Sequence, residues 1–99
     1  MSSREAAFLA LCSYFQKNLF LKDFFKNNSS DPLSKEIAYG AVRRWKSLES
    51  FLKGKFKKRE KILLSIAVYQ KLFLETVPDY AIVNETVSLA KKYFKSKAG

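Results

Sequence analysis

The chain contains no histidine and a single cysteine, Cys12. A lone cysteine closes no internal disulfide, which points to a reducing compartment. Without histidine or a cysteine cluster the usual zinc ligand sets are excluded, and so is the commonest general base of enzyme chemistry. Glycine is scarce as well. The three glycines stand far apart, at 40, 54 and 99, so no glycine-rich loop is present to cradle a phosphate or a nucleoside cofactor. No stretch reaches the ~18 uninterrupted apolar residues of a membrane span. The N-terminus, MSSREAAFLALCSYF, carries Glu5 ahead of its apolar run and Lys17 soon after, and it lacks the basic region and small-residue cleavage site of a signal peptide. These absences predict a cytoplasmic chain with no membrane segment, no metal site, no catalytic site and no cofactor of its own. Cys12, between Leu11 and Phe15 on an apolar helical face, reads as a small buried hydrophobe.

Acidic residues are the other shortage. Nine Asp and Glu face nineteen Lys and Arg, for a net charge of +10. Such an excess selects anionic partners: nucleic acid, an anionic membrane or an acidic protein. Fifteen of the nineteen cations are lysines. Lysine is a point charge suited to phosphate, whereas bidentate base reading is more often an arginine task, so composition favours recognition of backbone and shape. The charge is concentrated. Residues 43–61 hold nine basic residues and two acids, and Lys91, Lys92, Lys95 and Lys97 follow with no acid after Glu85.

What is abundant is apolar and aromatic. Hydrophobic residues make up 47% of the 99 positions, with nine Phe and five Tyr, which argues for a folded domain with an aromatic-rich core. Its periodicity is helical. Ser2 or Ser3 can cap a first helix, along which Phe8, Leu11, Cys12, Phe15 and Leu19 recur on one face. Residues 19–25 continue that helix after a bend or form a short one of their own, and the Asn27–Ser30 run is a loop. Asp31-Pro32 restarts helix as N-cap and first position. Leu33, Ile37, Ala41, Trp45, Leu48 and Leu52 then form a stripe of about five turns. Gly40 interrupts it where another helix would approach closely, and Gly54 is placed to end it. Between Ile62 and Leu74 two adjacent faces are apolar, which marks a central helix. Val77-Pro78 breaks the chain before a last helix, whose faces are Ile82, Thr86, Leu89, Tyr93 and, beside them, Val83, Val87, Ala90, Phe94.

Several residues have two readings. Trp45 lies on the core stripe and reads as packing, and Phe51 likewise reads as core. Phe56, between Lys55 and Lys57, either stacks an unpaired base or anchors its loop. Asn84, polar within an apolar helix, reads as a clamp on a neighbouring loop such as the Val77-Pro78 turn. Glu36 is placed to pair with Arg43.

The segment YQKLFLETVPDYAIVNETVSLAKK, residues 69–92, has the order helix, V-P, V-N-E, L-A-K-K. It resembles the NusB family of all-helical RNA-binding domains. The V-Y-Q-x-L-F-L wording before V-P is more similar to the N-terminal domain of the RsmB/Sun-type 16S rRNA cytosine-C5 methyltransferases. The family's arginine-rich N-terminal segment is represented here only by Arg4. The resemblance implies an all-α, antiparallel NusB-like bundle of about five helices over residues 1–99. In the family the pattern continues to a glycine, an F-V-N segment and a further helix, so a truncated C-terminus and a piece of a longer protein are expected. A missing helix would leave an apolar groove open to a second copy or a protein partner. The function implied is an RNA-binding module, with rRNA backbone gripped by Arg43, Arg44, Lys46, Lys57, Lys58, Arg59, Lys91, Lys92 and Lys95, and with Arg4 contributing. The catalytic residues and S-adenosylmethionine would then belong to a domain beyond Gly99; the chain has no Pro-Cys methyltransferase signature. The alternatives are a transcription antitermination factor of NusB type and a helical module for protein interaction or dimerisation.

Overall fold

A computed structural model describes residues 2–28, 31–52, 54 and 56–94, and among them the chain forms six helices and no strand. They are α1 (Ser3–Lys17), α2 (Leu21–Asn27), α3 (Pro32–Arg43), α4 (Trp45–Ser50), α5 (Lys58–Phe73) and α6 (Asp79–Phe94). The all-α architecture is as expected, with one helix more than the five anticipated. The extra one arises because the stripe from Leu33 to Leu52 does not run as one helix.

The boundaries follow from local chemistry. Ser2 caps α1 by accepting from the Glu5 N–H at 3.1 Å. Asn18 ends α1 in the left-handed region, with φ 57°, which asparagine tolerates better than most residues. That reversal makes residues 21–27 a separate helix, α2. Asp31 caps α3 by accepting from the Ser34 N–H at 2.9 Å, while the Ser34 hydroxyl accepts from the Asp31 N–H at 3.2 Å. The reciprocal pair is a capping box with Pro32 in the first turn. Ser3 donates to the Asp31 carboxylate as well, so one side chain joins the starts of α1 and α3 and is held below its ordinary pKa, first by that Ser3 bond.

The centre of the core is α5, which packs against α1, α3, α4 and α6. Phe8, Leu11, Ile37, Leu48, Ile62 and Ile66 are its fully buried large side chains. Gly40 has the role expected of it. A Cβ there would lie 2.0 Å from Tyr69 Oη and 2.2 Å from Cζ, so α3 accepts the Tyr69 ring of α5 only because position 40 has no side chain. Tyr69 donates to Glu36 Oε2 at 2.9 Å. Glu36 therefore serves the core tyrosine rather than Arg43.

Three expectations are corrected. Helix α4 stops at Ser50, so Gly54, though at φ 119°, turns the connection to α5 instead of ending a helix. Phe51 thereby leaves the apolar stripe and is 59% exposed rather than buried. Asn84 lies exposed on α6 and makes no side-chain hydrogen bond among the described residues, so it clamps no loop. Val83 and Val87 are exposed beside it, because α6 buries only Ile82 and Leu89.

Candidate nucleic-acid interface

The break at Arg44 organises the basic surface. Its backbone, at φ −112° and ψ 23°, leaves the helical region. The Arg44 N–H still reaches Gly40 O at 3.0 Å, closing α3, and its own carbonyl accepts from Leu48 at 3.0 Å, opening α4. The change of direction brings Trp45 onto Phe15 of α1, with ring centroids 4.4 Å apart and tilted by 37°, and Tyr14 meets Phe15 edge-on at 5.0 Å. A hollow of about 420 Å³ opens there, lined by Tyr14, Phe15, Val42, Arg43, Arg44, Trp45, Lys46 and Ser47. It holds three of the cations singled out from sequence and no carboxylate.

A second hollow of about 370 Å³ is lined by Gln16, Lys57, Lys58, Arg59, Glu60, Tyr93 and Phe94. Lys57 precedes α5, and its backbone N–H donates to Glu60 Oε1 at 3.3 Å. Lys58 places its ammonium 4.6 Å from the Phe15 centroid and 5.7 Å from that of Trp45, so the two hollows adjoin across these rings. A cation over an aromatic face at an exposed site gains about 0.5–1 kcal/mol. Arg43, Lys46, Lys57 and Lys58 are all exposed. The fold thus brings together cations from the end of α3, α4 and the start of α5 around one aromatic pair on α1 and α4.

The other cations are engaged elsewhere. Arg44 lies 4.2 Å over the Phe73 ring, at the edge of the patch. Half-buried Arg59 turns inward, 5.6–5.9 Å from the rings of Phe8, Tyr93 and Phe94. It also touches Cys12, whose thiol burial pushes up and Arg59 partly draws back. Arg4 donates to Gln70 Oε1 at 2.8 Å, and Gln70, buried in α5, donates in turn to Ile66 O at 3.2 Å. Lys92 and the Tyr93 hydroxyl both donate to Glu5 Oε2 at 2.6 Å. These two bonds, Lys92 first, hold the Glu5 carboxyl below its ordinary pKa, while burial and Glu5 push Tyr93 up to about 12. Lys91 is exposed on α6, and Lys95 lies outside the described residues.

Sequence periodicity assigned Phe15 to the core and gave Tyr14, Gln16 and Ser47 no role. The missed signal was proximity in space: α1 ends in two aromatics that the Arg44 break brings beside the basic run. Phe56, 39% exposed, lies just before Lys57.

A different surface lies between α5 and α6. There Phe51, Ala67, Val68, Leu72, Ile82 and Val83 line an apolar groove of about 440 Å³ whose edge carries the Lys71–Asp79 ion pair, at 2.9 Å. Among the described residues no helix is long and apolar enough to cross a membrane.

Comparison with known proteins places this geometry in context. The model of the NusB family matches residues 1–99. The "Probable ribosomal RNA small subunit methyltransferase B" of Bacillus subtilis (strain 168) is 35% identical over 104 residues, covering 91% of this chain and 23% of that protein. The "Transcription antitermination protein NusB" of Exiguobacterium sp. (strain ATCC BAA-1283 / AT1b) is 27% identical over 78 residues, covering 71% of this chain and 61% of that protein. The chain therefore spans less than two thirds of either relative. No solved structure matches at comparable significance.

Proposed function

The chain belongs to the NusB family, and from that premise we propose that it is an RNA-binding module, the N-terminal domain of an rRNA cytosine-C5 methyltransferase. One observation carries the reading: Arg43, Lys46, Lys57 and Lys58 are exposed around one aromatic pair, and the hollow that Arg43, Arg44 and Lys46 share with Trp45 holds no carboxylate. Four neutralised phosphates release their counterions, so affinity falls with salt with a slope of about −3 on single strands. Such contacts position RNA without reading its sequence. The module holds rRNA backbone so that a target cytosine reaches a catalytic domain beyond Gly99, and that domain binds S-adenosylmethionine. The cellular setting of this reading is the cytoplasm.

The antitermination reading is second. The methyltransferase relative favours the first by its higher identity and its coverage of 91% against 71% of the chain. An open reading frame extending several hundred residues past Gly99 with an α/β pattern fits the first, and a stop after one or two helices fits the second.

Binding is tested by fluorescence anisotropy of a labelled rRNA hairpin from about 50 to 200 mM salt, with duplex DNA as competitor. A steep negative slope with preference for RNA is expected. No binding at the lowest salt would overturn the reading.

A further inference from the structure

We propose that the hollow at the α3–α4 break is a stacking subsite for one unpaired nucleobase, held against the Phe15–Trp45 pair while the flanking phosphates lie on Lys46 and Lys58. The inference rests on the RNA-binding reading and adds what that reading leaves open: a base contact within a backbone grip.

Three observations lead to it. The aromatic content is unusual for a solvated basic surface, since Tyr14, Phe15 and Trp45 all line one hollow and none of them is fully buried. The Phe15 ring face is reached from the solvent side by exposed Lys58, whose Nζ lies 4.6 Å from its centroid, and a flat base stacks on an aromatic face where that flexible side chain swings aside to a phosphate. The polar groups around the rings are donors: the guanidinium of Arg43, the ammonium of Lys46 and the hydroxyl of Ser47. Nucleobases and phosphates present acceptors to such a rim, whereas an acidic peptide would bring charge without a planar ring to stack. The α5–α6 groove lacks this combination, being apolar and edged by a paired lysine. Because Lys58 links the two hollows, a strand with a phosphate on Lys57 and Lys58 has its neighbouring base within reach of Trp45.

Trp45 is the only tryptophan, so the unmodified chain reports on the site directly. The probes are single-stranded oligoadenylate, an abasic oligonucleotide of the same length and backbone, and oligoglutamate. Affinity is followed by anisotropy of the labelled probe and stacking by Trp45 emission. Oligoadenylate should quench Trp45 saturably and bind about 5- to 100-fold more tightly than the abasic strand, with the same salt slope for both. Tyr14→Leu, at a rim position, should lower that preference without changing the abasic affinity. Equal affinity for both strands with no quenching overturns the stacking subsite and leaves RNA binding intact. Oligoglutamate perturbing Trp45 as strongly as oligoadenylate also overturns it, in favour of a protein ligand. If neither oligonucleotide binds at about 50 mM salt, the RNA-binding reading fails and the subsite falls with it.

Discussion

Replacing Gly40 by alanine should destabilise the fold, although helix propensity predicts the opposite. Alanine in a helix interior gains about 1 kcal/mol over glycine. Against that, the new Cβ would sit 2.0 Å from Tyr69 Oη, 2.2 Å from Cζ and 2.6 Å from Cε1. The ring cannot step aside freely. It is 2% exposed, packs 5.2 Å from Phe73 and is tied by its hydroxyl to Glu36. Forcing extra volume into a packed site costs about 1–3 kcal/mol. Losing a hydrogen bond to a charged acceptor adds about 1.5–3 kcal/mol. Set against the propensity gain, Gly40→Ala should lose about 1.5–5 kcal/mol, roughly 6–40 °C in Tm for a domain of this size. Urea unfolding followed by far-UV circular dichroism measures it. In a Tyr69→Leu background the obstructing ring is gone, and the same substitution should be neutral or stabilising by about 1 kcal/mol. A gain of stability in the parent chain would refute the close approach of α3 and α5 at this point. Tyr69→Phe should not relieve the clash, because Cζ and Cε1 remain.

The Glu5 cluster makes stability depend on pH at both ends of the scale. Glu5 is held below its ordinary value of 4.5, so its contribution is complete above about pH 4.5 and is lost as pH falls further. Tyr93 is raised from 10.0 to about 12, so its contribution is complete below pH 10 and is lost as pH rises through 12. The stability difference between the parent and Glu5→Gln, measured by urea unfolding, should shrink in acid; a difference that stays constant down to about pH 3 would count against the pairing. The two exposed ends of the basic sequence should also separate by assay. Lys92→Ala should cost about 1 kcal/mol of stability, since its partner Glu5 has a side chain only 11% exposed, and should leave the RNA salt slope unchanged. Lys58→Ala should make that slope less negative by about 0.7 while costing no more than the roughly 0.5–1 kcal/mol of its ring contacts, and a slope that changes with Lys92→Ala but not with Lys58→Ala would exchange their roles.

Much of the scaffold was legible because it is signalled locally. Ser2, the Asp31-Pro32 start and the Val77-Pro78 break act within a few residues of themselves, and Gly40 announced a close approach by its cost in a helix. What escaped is set by tertiary contact. No residue near Arg44 marks a helix end; the break gains its purpose from Phe15, thirty positions earlier in the chain, on which Trp45 comes to rest. The same holds for the interface. Lys46, Lys57 and Lys58 were recognisable by charge, but Arg4 and Lys92 looked identical to them in sequence. Their partners, Gln70 and Glu5, are 66 and 87 positions away, so no local pattern could separate a committed cation from a free one.

The α5–α6 groove bears on how this molecule behaves in solution. Leu72, Val83 and Phe51, which line it, stand 44%, 58% and 59% exposed. Copies carrying +10 each repel one another strongly in dilute buffer. Salt shortens the range of that repulsion from about 10 Å at 0.1 M to about 3 Å at 1 M, and leaves hydrophobic attraction undiminished. Colloidal stability should therefore depend on ionic strength: the electrolyte that screens the basic surface also lowers the barrier that keeps these apolar faces apart, so light scattering should rise with salt.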